Sequence, residues 1–172
     1  MLLLLKNLLF TLLVPGFVVG WVPLRVFERR ARWPEQLDAA HWGALILGLA
    51  AALLYLHCLW LFMQKGRGTP LPLDPPRKLV QRGAYRWVRN PIYLAVLALV
   101  AAEGLFLRSW HIGVYWTCLA CLFQIFVQLH EEPALVFRFG AMYEDYRREV
   151  PRWLPRPPKP ATAEREADDR ER

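Results

Sequence analysis

Cysteine is scarce in this chain, which holds three in 172 residues: Cys58, Cys118 and Cys121. All three stand in apolar stretches, where a thiol behaves as a small hydrophobic side chain. The pair in "CLAC" lies i and i+3 on one face of such a stretch, without the electropositive, accessible setting of a reactive thiolate, which argues against a dithiol site. Internal repeats are lacking too. The opening "MLLLLK" has no basic leader region and no small-x-small cleavage site follows, so the first apolar stretch reads as a retained helix rather than a secretory signal. Acidic residues are nearly missing between Gln64 and Asn90, where Asp74 alone stands against Lys65, Arg67, Arg77, Lys78, Arg82, Arg86 and Arg89.

Apolar surface is what the chain has in excess: 55% of residues are hydrophobic, 13% aromatic and eight are tryptophan. That is too oily for a typical water-soluble domain, and a bilayer is the better solvent. Four windows, Leu2 to Val22, Trp42 to Met63, Pro91 to Leu107 and Trp110 to Leu129, each come near the roughly 20 residues that cross a hydrocarbon core. The expected fold is an all-α integral membrane protein with about four transmembrane helices and a C-terminal amphipathic cytoplasmic helix. Pro15 and Gly16 predict a kink or re-entrant turn in the first window. Ala44, Gly48 and Ala52, four apart, predict a face where another helix approaches closely.

The chain divides into two N-terminal membrane helices (1–63), a region of Pro-rich loop, two membrane helices and C-terminal helix (64–155) and a charged tail (156–172) with almost nothing to bury, expected to be disordered. Pro70, Pro72, Pro75 and Pro76 give the segment after the second helix an extended path. The net charge of +7 invites a nucleic-acid reading, but its position favours a membrane surface: the basic segment 64–90 is cytoplasmic by the positive-inside rule, and with it both termini. The opposing loop, Pro23 to His41, still carries Arg25, Arg29, Arg30 and Arg32, so the asymmetry is not clean. No nucleic-acid partner is expected, and nothing in the sequence sets an oligomeric state.

Chemistry concentrates at two places. In "YRWVRNPIYL" Pro91 suits a first helical position and Asn90 an N-cap. The same helix start presents unpaired N–H groups beside Arg86 and Arg89, a setting for a carboxylate or phosphate. In "HEEPALVFRFGAMYEDYRREVPRWLP" Glu131 and Glu132 close the fourth window, and Pro133 predicts a break before a new helix. Both acids are then expected to face a groove. Leu135, Phe139, Tyr143, Tyr146 and Val150 follow one helical face from Pro133 to Val150. Capping and interfacial solvation are the plain readings of these acids and tyrosines. Together, however, a positive helix end, paired acids and aromatic faces complement S-adenosylmethionine, which carries a carboxylate, an ammonium and a sulfonium.

The first motif, "GAYRWVRNPIYL", resembles the glycine-tyrosine-arginine-His-Pro-x-Tyr segment of isoprenylcysteine carboxyl methyltransferases and related phospholipid methyltransferases. The second resembles their Glu-Glu-x-x-Leu…Phe-Gly-x-x-Tyr-x-x-Tyr segment ending in Val-Pro and Leu-Pro. The likeness covers about Gly66 to Pro155. It implies a membrane methyltransferase that uses S-adenosylmethionine on a lipophilic acceptor from the bilayer. The implied cofactor-binding residues are Gly66, Gly68, Tyr85, Arg89, Asn90, Pro91, Tyr93, Glu131, Glu132, Tyr143 and Tyr146, with Arg89 and Glu132 nearest the chemistry and no metal. Asn90 stands where the family usually has His, keeping hydrogen-bonding capacity but no titrating proton near neutral pH.

Methyl transfer to a carboxylate or thiolate needs mainly positioning and exclusion of water. An amine or alcohol acceptor would need a base, for which only the glutamates offer themselves. Glu103 is expected near the opposite interface, close to Arg108 and His111, as a structural ion pair or a snorkelled acid and not at the cofactor. Two readings compete: a membrane reductase using NADPH, and a non-enzymatic scaffold whose charged edge binds membrane lipids.

Overall fold

The computed structural model describes residues 2–27, 33–66 and 78–158, and among these every regular element is helical. The elements are α1 (Leu2–Leu13), a π-helical turn (Gly16–Trp21), α2 (Val22–Phe27), α3 (Ala39–Leu61) and a second π-turn (Phe62–Gly66). A 3-10 turn (Gly83–Arg86) precedes α4 (Pro91–Phe106), and α5 (Trp110–Phe126) runs through a third π-turn (Val127–Glu131) into α6 (Glu132–Phe139) and α7 (Ala141–Glu149).

Two helical stretches, Ala39–Gln64 and Trp110–Phe139, are long and apolar enough to cross a membrane. Asn7–Trp21 and Pro91–Phe106 are apolar but shorter; at about 1.5 Å per residue α4 spans roughly 24 Å, less than a hydrocarbon core of about 30 Å. Length alone therefore meets the expectation of four spans for two of them. Leu45, Ile46, Leu49, Leu53 and Leu56 on α3, and Val114, Leu122, Ile125 and Leu129 on α5, point outward. Apolar surface of that extent fits lipid rather than water.

Local chemistry explains the boundaries. Asp38 caps α3, its carboxylate accepting from the N–H groups of Ala40 and His41 while the His41 ring accepts from the Asp38 N–H. The first window passes Pro15 in helical geometry (φ −64°, ψ −38°) and widens into the π-turn at 16–21, the adjustment that a proline's missing donor invites. α3 and α4 share the largest interface. There Ala44 is buried and a Cβ on Gly48 would stand 3.5 Å from the Ala102 Cβ, so the small-residue face does let the helices close up. The core between α3, α4 and α5 holds Tyr55, Cys58, Val96, Val100, Ile112 and Leu119. Cys118 and Cys121 are both exposed on the outer face of α5.

Three expectations give way. Pro133 does not end the helix: Glu132 is helical (φ −62°, ψ −44°), and the π-turn just before absorbs the proline. The segment Pro133 to Val150 is two helices, because Gly140 takes φ +52° and breaks it. The apolar face nevertheless survives, since Tyr143, Tyr146 and Val150 form one cluster with Leu79, Leu135, Val136 and Phe139. The third concerns Glu103: Arg108 turns away to pair with Asp38, and Glu103 Oε2 is buried with no hydrogen-bond partner among the described residues. Gly68, the four prolines of the 70–76 segment and the tail from 159 lie outside the described residues.

Candidate active site

The approach to α4 is shaped by a glycine. Gly83 has φ +57°, and a Cβ there would meet the His57 Nε2 at 2.6 Å, so the chain turns tightly against α3 only with glycine. The 3-10 turn that follows sends Tyr85 into the core, where its ring meets Phe62 edge-on at 5.6 Å, leaves Arg86 exposed and brings Arg89 inward. Tyr85 thus supports the site through its backbone: its carbonyl accepts from the Tyr146 hydroxyl at 2.7 Å.

Arg89 and Glu132 form a nearly buried ion pair, Nη1 to Oε1 at 2.9 Å, with side chains 10% and 9% exposed. The same Nη1 lies 3.4 Å from the Tyr143 hydroxyl. A second guanidinium completes the cluster: Arg152 grips both Glu132 oxygens, Nε to Oε1 and Nη2 to Oε2, each at 2.8 Å. Glu131 lies apart from this pairing, its Oε2 accepting from the Tyr93 hydroxyl at 2.7 Å. The two acids therefore splay instead of sharing a groove, because neighbours on a helix point roughly 100° apart. Tyr93 in turn meets Phe123 at 4.8 Å and Trp153 at 6.3 Å, both edge-on, so three rings gather beside Glu131.

Arg152 and Trp153 belong to an extended strap, Val150 to Arg156, that crosses the start of α4. Its fixings are the Arg89 N–H to the Pro151 carbonyl (2.9 Å), the Asn90 Nδ2 to the Arg152 carbonyl (3.2 Å), the Arg156 N–H to the Trp87 carbonyl (2.9 Å) and the Trp153 Nε1 to Gln124 Oε1 (2.6 Å). Asn90 occupies the N-cap position without capping: its side chain makes no bond to the helix and is taken by the strap. Pro91 beneath it is fully buried. Arg156, expected in the disordered tail, is thus part of the strap.

Of the residues singled out from sequence, Arg89, Tyr93, Glu131, Glu132 and Tyr143 come together. Asn90 and Pro91 border them, and Tyr146 packs behind Tyr143, the two rings tilted with centres 6.1 Å apart. Gly66 ends the π-turn after α3. Missed were Arg152, Trp153, Gln124 and Gly83; the first two stand inside "EVPRWLP", where flanking prolines mark an extended segment.

Burial raises the Tyr143 phenol above its ordinary value, the Glu132 carboxylate adding to this and Arg89 opposing it. Burial likewise raises Tyr146, helped by Tyr143, and Tyr85. All three are neutral hydroxyls at physiological pH. The bond to Glu132 raises Arg152 still further. One polar atom is left over: Arg89 Nε is buried without a hydrogen-bond partner among the described residues. A buried donor of this kind is where a ligand's carboxylate fits.

The family model for phospholipid methyltransferases matches residues 45–142, more than half of the chain. The match opens within α3, earlier than the likeness read from the motifs, and closes at Met142, ahead of the strap. Comparisons with curated proteins and with solved structures return no match. The matched stretch holds Arg89, Tyr93, Glu131 and Glu132, and together with the long apolar helices it places this chain in the phospholipid methyltransferase family, a family of membrane methyltransferases that generally use S-adenosylmethionine.

Proposed function

We propose that this protein transfers a methyl group from S-adenosylmethionine to a lipophilic acceptor drawn from the bilayer. The observation that carries the reading is the spare, buried Nε–H of Arg89 within a cluster of two guanidiniums around the Glu132 carboxylate at the mouth of α4. Arg89 would hold the cofactor's carboxylate, with Glu132 keeping the guanidinium in place. The rings of Tyr93, Phe123 and Trp153 beside Glu131 suit a cationic centre, through ring faces and a nearby negative charge. S-adenosylmethionine, when bound, supplies an electrophilic methyl on a sulfonium.

The chain's own part is to orient and to exclude water. The strap covers the start of α4, and an acceptor would enter sideways between helices. Among prenyl-linked carboxylates, thiols and phospholipid amines, the amine agrees best with Glu131. An ammonium must lose a proton before its lone pair forms the new N–C bond, and Glu131 is the carboxylate with no guanidinium partner among the described residues. In this reading α1 with its π-turn and α4 also lie in the membrane, giving four passes, with the site and both termini cytoplasmic.

Calorimetric titration of the purified protein in detergent tests the cofactor. Micromolar binding of S-adenosylmethionine is expected, weakened about tenfold or more in Arg89→Lys, which keeps a charge but not the Nε–H. NADPH binding in its place would overturn the reading. Mass spectrometry of lipid extracts incubated with methyl-labelled cofactor identifies the acceptor, and a labelled phospholipid headgroup is the expected product.

A further inference from the structure

The far end of α4 carries an acid that the cluster at its start does not use. Glu103 stands twelve residues beyond Pro91, about 18 Å along the helix. It lines a cavity of about 370 Å³ between α3, α4 and the N-terminal segment, walled by Pro23, Trp33, Leu49, Leu99 and Phe106. Its Oε2 is buried and has no hydrogen-bond partner among the described residues. Arg108, the nearest basic residue along the chain, is held by Asp38. Buried polar atoms are nearly always bonded, and an ionisable group within a membrane segment marks a functional site by default.

We infer that this cavity binds a membrane lipophile with an apolar body and a single hydrogen-bond-donating head group, an amine or a hydroxyl, that meets Glu103 Oε2. The volume lies in the range of small-molecule sites, and a mostly apolar wall with a single carboxylate fixes such a ligand's orientation. The ligand's body lies against Leu49, Leu99 and Phe106, where lipid tails reach the groove between α3 and α4. The site is separate from the Arg89–Glu132 cluster and stands whatever reaction that cluster performs.

The test uses the full chain in lipid nanodiscs with a photoactivatable dodecylamine, mapping the labelled peptides by mass spectrometry. Labelling is expected on the peptides holding Trp33, Leu49 and Phe106. It should fall about tenfold in Glu103→Leu, the loss of one bond to a charged or strongly polar group. It should fall similarly in Leu49→Trp, which fills the cavity from an outward-facing position and leaves the core intact. Dodecylamine and dodecanol should compete, the better competitor identifying the head group, while methyl laurate, with no donor, should not. Undiminished labelling in both variants overturns the inference, as does competition by methyl laurate equal to the amine's or labelling centred on the Arg89 and Tyr143 peptides.

Discussion

Glu132, on α6, lies beside the start of α4 and Glu103 stands near the end of that helix, and the fold treats them in opposite ways. Glu132 receives three N–H groups from two arginines, one on the approach to α4 and one on the strap, so both its oxygens are satisfied within the chain. Glu103 keeps an oxygen with no hydrogen-bond partner among the described residues and a cavity in front of it. The difference separates a charge used to build a site from one left for something outside the chain. At the first end the spare capacity is a donor, Arg89 Nε; at the second it is an acceptor.

Truncating the two acids breaks the comparison most directly. Glu132→Ala strands Arg89 in a nearly buried position and is expected to destabilise by about 3–5 kcal/mol. Glu103→Leu removes an unbonded polar atom from an apolar wall and should leave stability unchanged or slightly raised. Denaturant titrations in the same detergent read both, and equal losses would erase the distinction.

Next in size is Gly83→Ala, which forces a side chain into positive φ against His57. The conformation alone costs about 1–2 kcal/mol, so a lower melting temperature is expected together with weaker cofactor binding, because the same turn aims Arg89. Smaller is Asn90→Ala, expected to lose about 1 kcal/mol, one neutral hydrogen bond. Hydrogen exchange distinguishes its cause: faster exchange in the strap with an unchanged first turn of α4 is expected, whereas fraying of α4 would restore the capping role. The last effect is absent at neutral pH. Tyr146 has its folded value raised above the ordinary 10.0, so its contribution is complete below about pH 10, where the unfolded chain also keeps the proton, and declines as pH rises beyond it. Tyr146→Phe should remove that alkaline loss from a stability-against-pH profile.

Much of the architecture was legible because it is written in periodicity. The apolar runs fix α3, α4 and α5 to within a few residues, and the face from Leu135 to Val150 persists across the break at Gly140. Arg89, Tyr93 and the acid pair stood out by charge and aromaticity in a hydrophobic context. What could not be read are pairings between distant residues. Asn90 looks like a cap until a carbonyl 62 positions away takes its amide, and Arg108 looks like a partner for Glu103 until Asp38, 70 positions back, claims it. An extended strap has no period to betray which surface it will cross. The π-turn at Val127–Glu131 hides as well, since helical patterning is nearly blind to one widened turn.

The strap also gives the site an order of arrival. Arg152, Trp153 and Arg156 leave the ribosome after every element on which they dock, when α4, α5 and α6 are already synthesised. Until then Arg89 and Glu132 have each other but not the second guanidinium, the third ring or the cover over α4. The cluster is therefore completed last and from the C-terminal side, and a chain interrupted before Arg156 would hold its helices without the full set of bonds that ties the strap across α4.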